Sequence, residues 1–278
     1  MPAAVDQLVK NLMALPARER IPRCEEILSG NELDPDGRSR IAYVLAHAQR
    51  AESRPAEAMQ TCQAALSRDM SDARRSVLMQ CLALCQYDLG LMTELPATLD
   101  DWERLPMPGV LRAYWLMLKG RVLLRHRDPS ALPLFAEAEE LFADPDQAQS
   151  RAWAQLSTAR LCWLLGDLDE AERALGRVTY APYIPKARLL QAEVTVTRGD
   201  VTTAEELVRA VRAGHYGPLD RVDEARSRYV EALCALHNGA QWSAALLAEE
   251  ARKLAVTSSM KDLELIDAIT ALRVRIAG

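Results

Sequence analysis

Few side chains in this sequence have the types and spacing that chemistry requires. Cys81 and Cys85 are four residues apart on one predicted helix face, which would supply half of a metal site. No second pair of Cys or His lies nearby in sequence, and both cysteines continue an apolar stripe with Leu78 and Leu82. We therefore expect them to pack as small apolar side chains. The histidines have no mutual spacing that suggests a metal site: His47, His126, His215 and His237.

Catalytic motifs are also missing from the sequence. His126-Arg127-Asp128 spells a kinase-like triplet, but it lacks the glycine-rich loop and the downstream Asn of that motif. Glycine-rich nucleotide-binding motifs, serine-hydrolase motifs and zinc-protease motifs do not occur. Three glutamate pairs fall on predicted helices as a solvated outer face, without a cleft that would shift their pKa: Glu139-Glu140, Glu205-Glu206 and Glu249-Glu250. We expect no enzymatic activity, no metal and no cofactor.

The composition indicates a helical protein. Of the 278 residues, 49% are apolar and only 5% are aromatic, and Ala, Leu, Arg and Glu dominate. The 34 basic and 39 acidic residues give a formal charge of −5, which argues against direct nucleic-acid binding but leaves a local basic face open. Asp6 and Lys10 interrupt the apolar pattern of the first helix, so no signal peptide is expected, and no stretch predicts a membrane span. We expect a cytoplasmic protein with reduced cysteines.

A helix–turn–helix unit recurs along the chain. Its clearest copy turns at Gly166-Asp167, where glycine favours the end of one helix and aspartate caps the next. Corresponding turns follow at intervals of 33 to 40 residues, at positions 53, 90, 127, 166, 199 and 239. A small residue precedes each turn by seven positions, which predicts close helix crossing there: Ala46, Ala83, Gly120, Ala159, Ala192 and Ala232. Apolar residues five and nine positions after each turn are expected to begin the buried stripe of the second helix, as with Leu132 and Ala136 after the turn at 127.

This spacing of small residue, turn and second-helix residue resembles the tetratricopeptide repeat over about residues 38–256. The resemblance implies an all-α, right-handed α-solenoid of six stacked antiparallel helix pairs. Residues 1–37 are expected to form an opening helical pair and residues 257–278 a C-terminal capping helix, all in one continuous solenoid. The closing Pro and the Trp of the family's repeat are largely missing, and the long steps resemble the looser repeats of bacterial regulators.

In the resembled family, positions 2, 5, 9 and 12 of each repeat commonly face a concave groove. Of the 24 corresponding residues, six are Arg or Lys, six are Trp or Tyr, and one, Glu193, is acidic. Arg, Tyr and Trp are the side chains that most often anchor interfaces. The predicted partner-binding groove comprises Arg40, Tyr43, His47, Arg50, Tyr87, Tyr114, Arg121, Trp153, Arg160, Trp163, Lys186, Arg226 and Tyr229.

The last three copies allow a second interpretation. Positions that the family normally buries are polar there, as at Gln155 and Thr158, so these helices could be rotated about their axes. The aromatic residues of those copies, such as Trp163 and Tyr229, would then belong to the core. The sequence leaves both interpretations open.

The resemblance and the composition of the groove predict a protein–protein interaction scaffold or adaptor. Its partner would be an acidic protein or peptide segment with one or two apolar anchors, held by Arg40, Arg50, Arg121 and Arg160. The family's clamp for a C-terminal carboxylate is not expected, because Tyr43 and His47 replace its Lys and Asn. Two alternatives remain, a peptide- or ligand-sensing module of a bacterial signalling system and a homo-oligomeric assembly protein such as a homodimer. No membrane partner is expected.

Overall fold

The computed structural model describes residues 2–30, 33–258 and 261–277, and all regular elements in these ranges are helical. The chain divides into two compact units, Met1–Leu118 and Lys119–Gly278, with the boundary inside one helix, α7. The first unit holds α1 (Pro2–Met13), α2 (Ala17–Ser29), α3 (Pro35–Ala51), α4 (Pro55–Leu66), α5 (Asp72–Leu89), α6 (Leu95–Glu103) and the first part of α7 (Val110–Arg125). The second holds the rest of α7, α8 (Ala131–Leu141), α9 (Ala148–Leu165), α10 (Leu168–Gly176), α11 (Ile184–Thr197), α12 (Val201–Arg212), α13 (Arg221–His237), α14 (Gln241–Thr257) and α15 (Leu263–Ala277).

Within each unit, consecutive helices pack as antiparallel pairs, so the all-α fold of stacked helix pairs is confirmed. The opening pair is α1 and α2, and the final helix is α15. None of the helices in the described ranges is long and apolar enough to cross a membrane. That the pairs form one continuous rod stays a prediction.

All six predicted turns contain a residue in the left-handed backbone region. Four are glycines, which adopt this conformation at little cost. The other two are Ser53 (φ 57°) and Arg127 (φ 55°), where a side chain raises the cost. Asp167 caps α10 as predicted, since its side chain accepts a hydrogen bond from the backbone N–H of Glu170 at 3.1 Å.

The small residues that precede the turns are buried at helix crossings. Ala46, Ala83, Ala159, Ala192 and Ala232 have no exposed surface. At Gly120, a Cβ atom would lie only 2.5 Å from the ring of Phe135 on α8, so α7 and α8 approach too closely for a side chain. The recurrence of small residues in the sequence therefore has the packing cause that was predicted.

The third copy departs from the predicted register. Leu132 is only half-buried and Ala136 is exposed, whereas Ala131, Phe135 and Ala138 are buried. An Asp128-Pro129-Ser130 turn causes the difference: the Asp128 side chain accepts a hydrogen bond from the Ser130 N–H at 2.9 Å. Helix α8 therefore begins at Ala131, and its buried stripe starts one residue earlier than expected.

Candidate functional site

In the second unit, predicted groove arginines face the final helix. Helix α15 buries Leu265, Ile269 and Leu272 in the core shared with α13 and α14. Glu264 and Asp267 of this helix, and Asp262 immediately before it, point to arginines of the inner helices instead. Three ion pairs result: Arg121–Glu264 at 2.8 Å, Arg125–Asp267 at 3.2 Å and Arg226–Asp262. Arg125 and these three carboxylates are not among the residues predicted from the sequence, although the acidic residues at the start of the final helix are a visible signal.

A buried charge network lies beside these pairs. The carboxylate of Glu193 on α11 is fully buried and accepts hydrogen bonds from Arg160 on α9 and from Arg226 on α13, the latter at 2.6 Å. Three first helices are thereby joined through one acidic side chain. Because buried charges need such partners, loss of Glu193 would leave the Arg160 guanidinium without its carboxylate and Arg226 with Asp262 alone.

The carboxylates of α15 have shifted pKa values. Burial tends to raise the pKa of Asp262, but Arg226 and then Arg160 and Arg121 outweigh it and hold that pKa at about 2. Burial raises the pKa of Glu264, with Arg121 only partly opposing it. Asp262 is thus strongly stabilised as an anion, whereas Glu264 is not.

A cavity separates part of α15 from the inner helices. It has a volume of about 280 Å³ and is lined by Arg160, Trp163, Tyr229, Glu264 and Asp267 among other residues. The Arg160 guanidinium lies 4.6 Å from the Trp163 ring centre, as in a cation–π pair. The cavity brings together three of the predicted groove residues.

The predicted residues of the second unit differ in accessibility. Arg160 and Tyr229 are buried, with 4% and 5% of their surface exposed, while Trp153 and Trp163 are half-buried. Trp163 donates a hydrogen bond to Thr197 at 3.0 Å. Lys186 lies away from α15 and forms ion pairs with Asp220 at 2.6 Å and Asp223 at 3.0 Å, at the start of α13. Partner contact at these positions stays a prediction.

In the first unit, two predicted arginines are paired within the fold. Arg40 on α3 pairs with Asp6 of α1, and Arg50 pairs with Asp88 of α5. Asp88 is buried, and burial raises its pKa despite the attraction of Arg50. Further predicted residues on α3, α5 and α7 are half-buried: Tyr43, His47, Tyr87 and Tyr114.

The inner side of the first unit also contains a thiol cluster. Cys62, Cys81 and Cys85 are buried reduced cysteines, as expected for the last two. Hydrogen bonds from Cys62 and Cys85 lower the pKa of Cys81 well below its ordinary value, although burial opposes the shift. His47 lies near, with a pKa lowered mainly by burial. In the described ranges, no group of three or more His, Cys, Asp or Glu is arranged to hold a metal ion.

A second cavity in the second unit, of about 870 Å³, lies between α12, α13 and α14. Its lining includes Arg212, Arg228 and Glu231, which are already paired: Arg212–Glu231 at 2.5 Å and Arg228–Glu231 at 3.0 Å. None of the predicted groove residues lines this cavity.

Stacked helix pairs with small residues at each crossing and a left-handed residue at each turn define a tetratricopeptide-like fold. Comparison with solved structures agrees. The chain is similar to a tetratricopeptide repeat protein from Parabacteroides merdae ATCC 43184, with a TM-score of 0.56 and 17% sequence identity over 98% of this chain and 99% of that one. The sequence matches no protein-family profile and no curated protein.

Proposed function

We propose that this chain is a protein–protein interaction scaffold. Tetratricopeptide-like folds generally mediate such interactions, because helix pairs stacked in this way present extended binding surfaces. The proposed partner is an acidic protein or peptide segment with one or two apolar anchors. It would bind to the basic, aromatic-lined inner helices, through Arg40, Tyr43, His47, Arg50, Tyr87 and Tyr114 in the first unit and Arg121, Trp153, Arg160, Trp163, Lys186, Arg226 and Tyr229 in the second.

One observation carries this proposal. In the second unit, Arg121, Arg125 and Arg226 already hold the carboxylates of an amphipathic helix, α15, whose apolar side chains are buried beside them. This intramolecular contact supports an acidic helix as the proposed partner. Arginine suits this task because its planar fork binds carboxylates and its face stacks on rings such as Trp163.

The test uses peptides selected from a random displayed library against the full chain. Acidic peptides with apolar anchors are expected to be enriched, and their binding is expected to weaken with added salt. Reversing Arg40 and Arg125 together (Arg40→Glu, Arg125→Glu) should weaken binding more than about tenfold, as measured by fluorescence anisotropy. Arg160 is unsuitable for reversal because its pair with Glu193 is buried.

The matched control combines Arg23→Glu and Arg104→Glu, which makes the same charge change at exposed pairs with Glu26 on α2 and Asp101 on α6. It should alter affinity by less than about twofold. Equal affinities for the control and the first double variant would contradict the proposal. Light scattering at several concentrations measures the alternative of a homodimer, and the sensing-module alternative stays a prediction.

A further inference from the structure

Helix α15 has two faces that contact the second unit in different ways. Its apolar face packs closely, with Leu265 and Ile269 fully buried against α13 and α14. Its acidic face contacts the inner helices through arginine side chains and borders the 280 Å³ cavity. On that side, Arg125, Glu264 and Asp267 line the cavity.

The charge pattern on this face is complementary along its length. Asp262 caps the start of α15, where it accepts a hydrogen bond from the Leu265 N–H at 2.9 Å, while Glu264 and Asp267 lie in the first two turns. Each of the three pairs with a different arginine of α13 or α7. These arginines come from distant parts of the sequence and converge on one short acidic stretch. The three arginines are therefore placed to bind three carboxylates at this spacing.

Of the three ion pairs, the one between Asp267 and Arg125 is the weakest. The Asp267 side chain is 61% exposed, so water and salt screen its attraction to Arg125. Glu264 is buried at a cost, as the direction of its pKa shift indicates. Arg121 and Arg125 are therefore the arginines for which a competing acidic segment faces the smaller penalty.

We propose that α15 is an internal occupant of the binding surface, and that the partner is an acidic amphipathic helix that competes with it for Arg121, Arg125 and Arg226. The partner would carry carboxylates at the spacing of Asp262, Glu264 and Asp267, with apolar residues between them. This inference rests on the proposed function and adds its regulation: binding requires that the acidic face of α15 release its arginines.

The test uses the full chain and a fluorescent peptide of residues 261–277 as the probe. In one variant the acidic face is neutralised while the apolar face is kept (Asp262→Asn, Glu264→Gln, Asp267→Asn). We expect this variant to bind the peptide at least about tenfold more tightly than the native chain, because the internal competitor is weakened. A peptide with the same three substitutions should lose binding to both proteins.

A matched control removes three carboxylates from exposed pairs elsewhere (Glu26→Gln, Glu57→Gln, Asp101→Asn). It changes the net charge equally and should leave peptide affinity unchanged. If circular dichroism shows that the α15 variant is unfolded, Asp267→Asn alone replaces it, with an expected gain of about two- to threefold.

Each outcome decides between the claims. Equal binding to native and neutralised chains, weakened by Arg125→Glu in both, would overturn competition by α15 and leave the proposed function standing. No binding of the peptide to either protein would overturn both. A doubled molar mass of the neutralised variant in light scattering, without peptide binding, would assign the surface to a second copy and overturn the partner proposal.

Discussion

The two units satisfy their inner arginines in different ways. In the first unit, Arg50 pairs with Asp88 on the neighbouring first helix, α5. In the second, Arg226 and Arg121 use carboxylates of the final helix, which closes over them. Both units combine pairs between neighbouring first helices with pairs to a terminal segment, such as Arg40–Asp6 in the first unit, but in the second unit one buried acid, Glu193, is shared by two arginines. A basic residue at a groove position shows where a carboxylate belongs, but not which segment supplies it.

The largest expected difference between the two units concerns the stability contributed by their buried acidic residues, Glu193 and Asp88. Glu193→Ala leaves the buried Arg160 guanidinium without its carboxylate and Arg226 with Asp262 alone, and should lower the free energy of unfolding by about 3–5 kcal/mol. Asp88→Ala should cost less, because the Arg50 side chain is partly exposed and can reach water. Urea unfolding measures both. The exposed change Asp101→Ala is the control, expected within about 0.5 kcal/mol, and a Glu193 variant as mild as this control would refute the network's importance.

The helix crossing at Gly120 differs from its counterparts in the first unit, where Ala46 and Ala83 occupy the same position. Gly120→Ala should destabilise by about 1–3 kcal/mol, since the new Cβ collides with Phe135. Gly176 on α10 has open space around it, so Gly176→Ala should stabilise by up to about 1 kcal/mol. Thermal unfolding gives both signs, and a stabilising change at Gly120 would contradict the close approach.

Acid titration should give opposite trends for Asp262 in the second unit and Asp88 in the first. The pKa of Asp262 falls from 3.8 to about 2 in the fold, so its contribution of about 2 kcal/mol is complete above pH 4 and is lost as the pH falls toward 2. The pKa of Asp88 is raised, so its effect on stability becomes less favourable as the pH rises above 3.8. Unfolding free energies of Asp262→Asn and Asp88→Asn relative to the native chain, measured against pH, should therefore slope in opposite directions; parallel slopes would remove this contrast.

Each unit has one turn in which a side chain occupies the left-handed region, and these give the smallest expected effect. Ser53→Gly in the first unit and Arg127→Gly in the second should each stabilise by up to about 1 kcal/mol. Differential scanning calorimetry measures the rise in melting temperature. A loss of stability at either position would mean that the side chain contributes more than its backbone strain costs.

Local features could be predicted from the sequence, because their causes lie within one helix pair. The six turns and the buried small residues follow from glycine conformation and helix crossing, even at Ser53 and Arg127 where no glycine is present. The shift of the buried stripe to Ala131 goes with a side-chain hydrogen bond in the Asp128 turn, which the repeat spacing does not contain. The pairing of Asp262 with Arg226 joins two helices through side-chain geometry that no local pattern contains.

All six cysteines are buried, so the reactivity of their thiols reports how often the surrounding helices separate. Cys24, Cys62, Cys81 and Cys85 lie in the first unit, and Cys162 and Cys234 in the second. A thiol-labelling reagent can reach them only when a helix pair separates, so mass spectrometry of labelling under native conditions would yield an opening free energy for each unit. No probe would have to be engineered into the protein for that measurement.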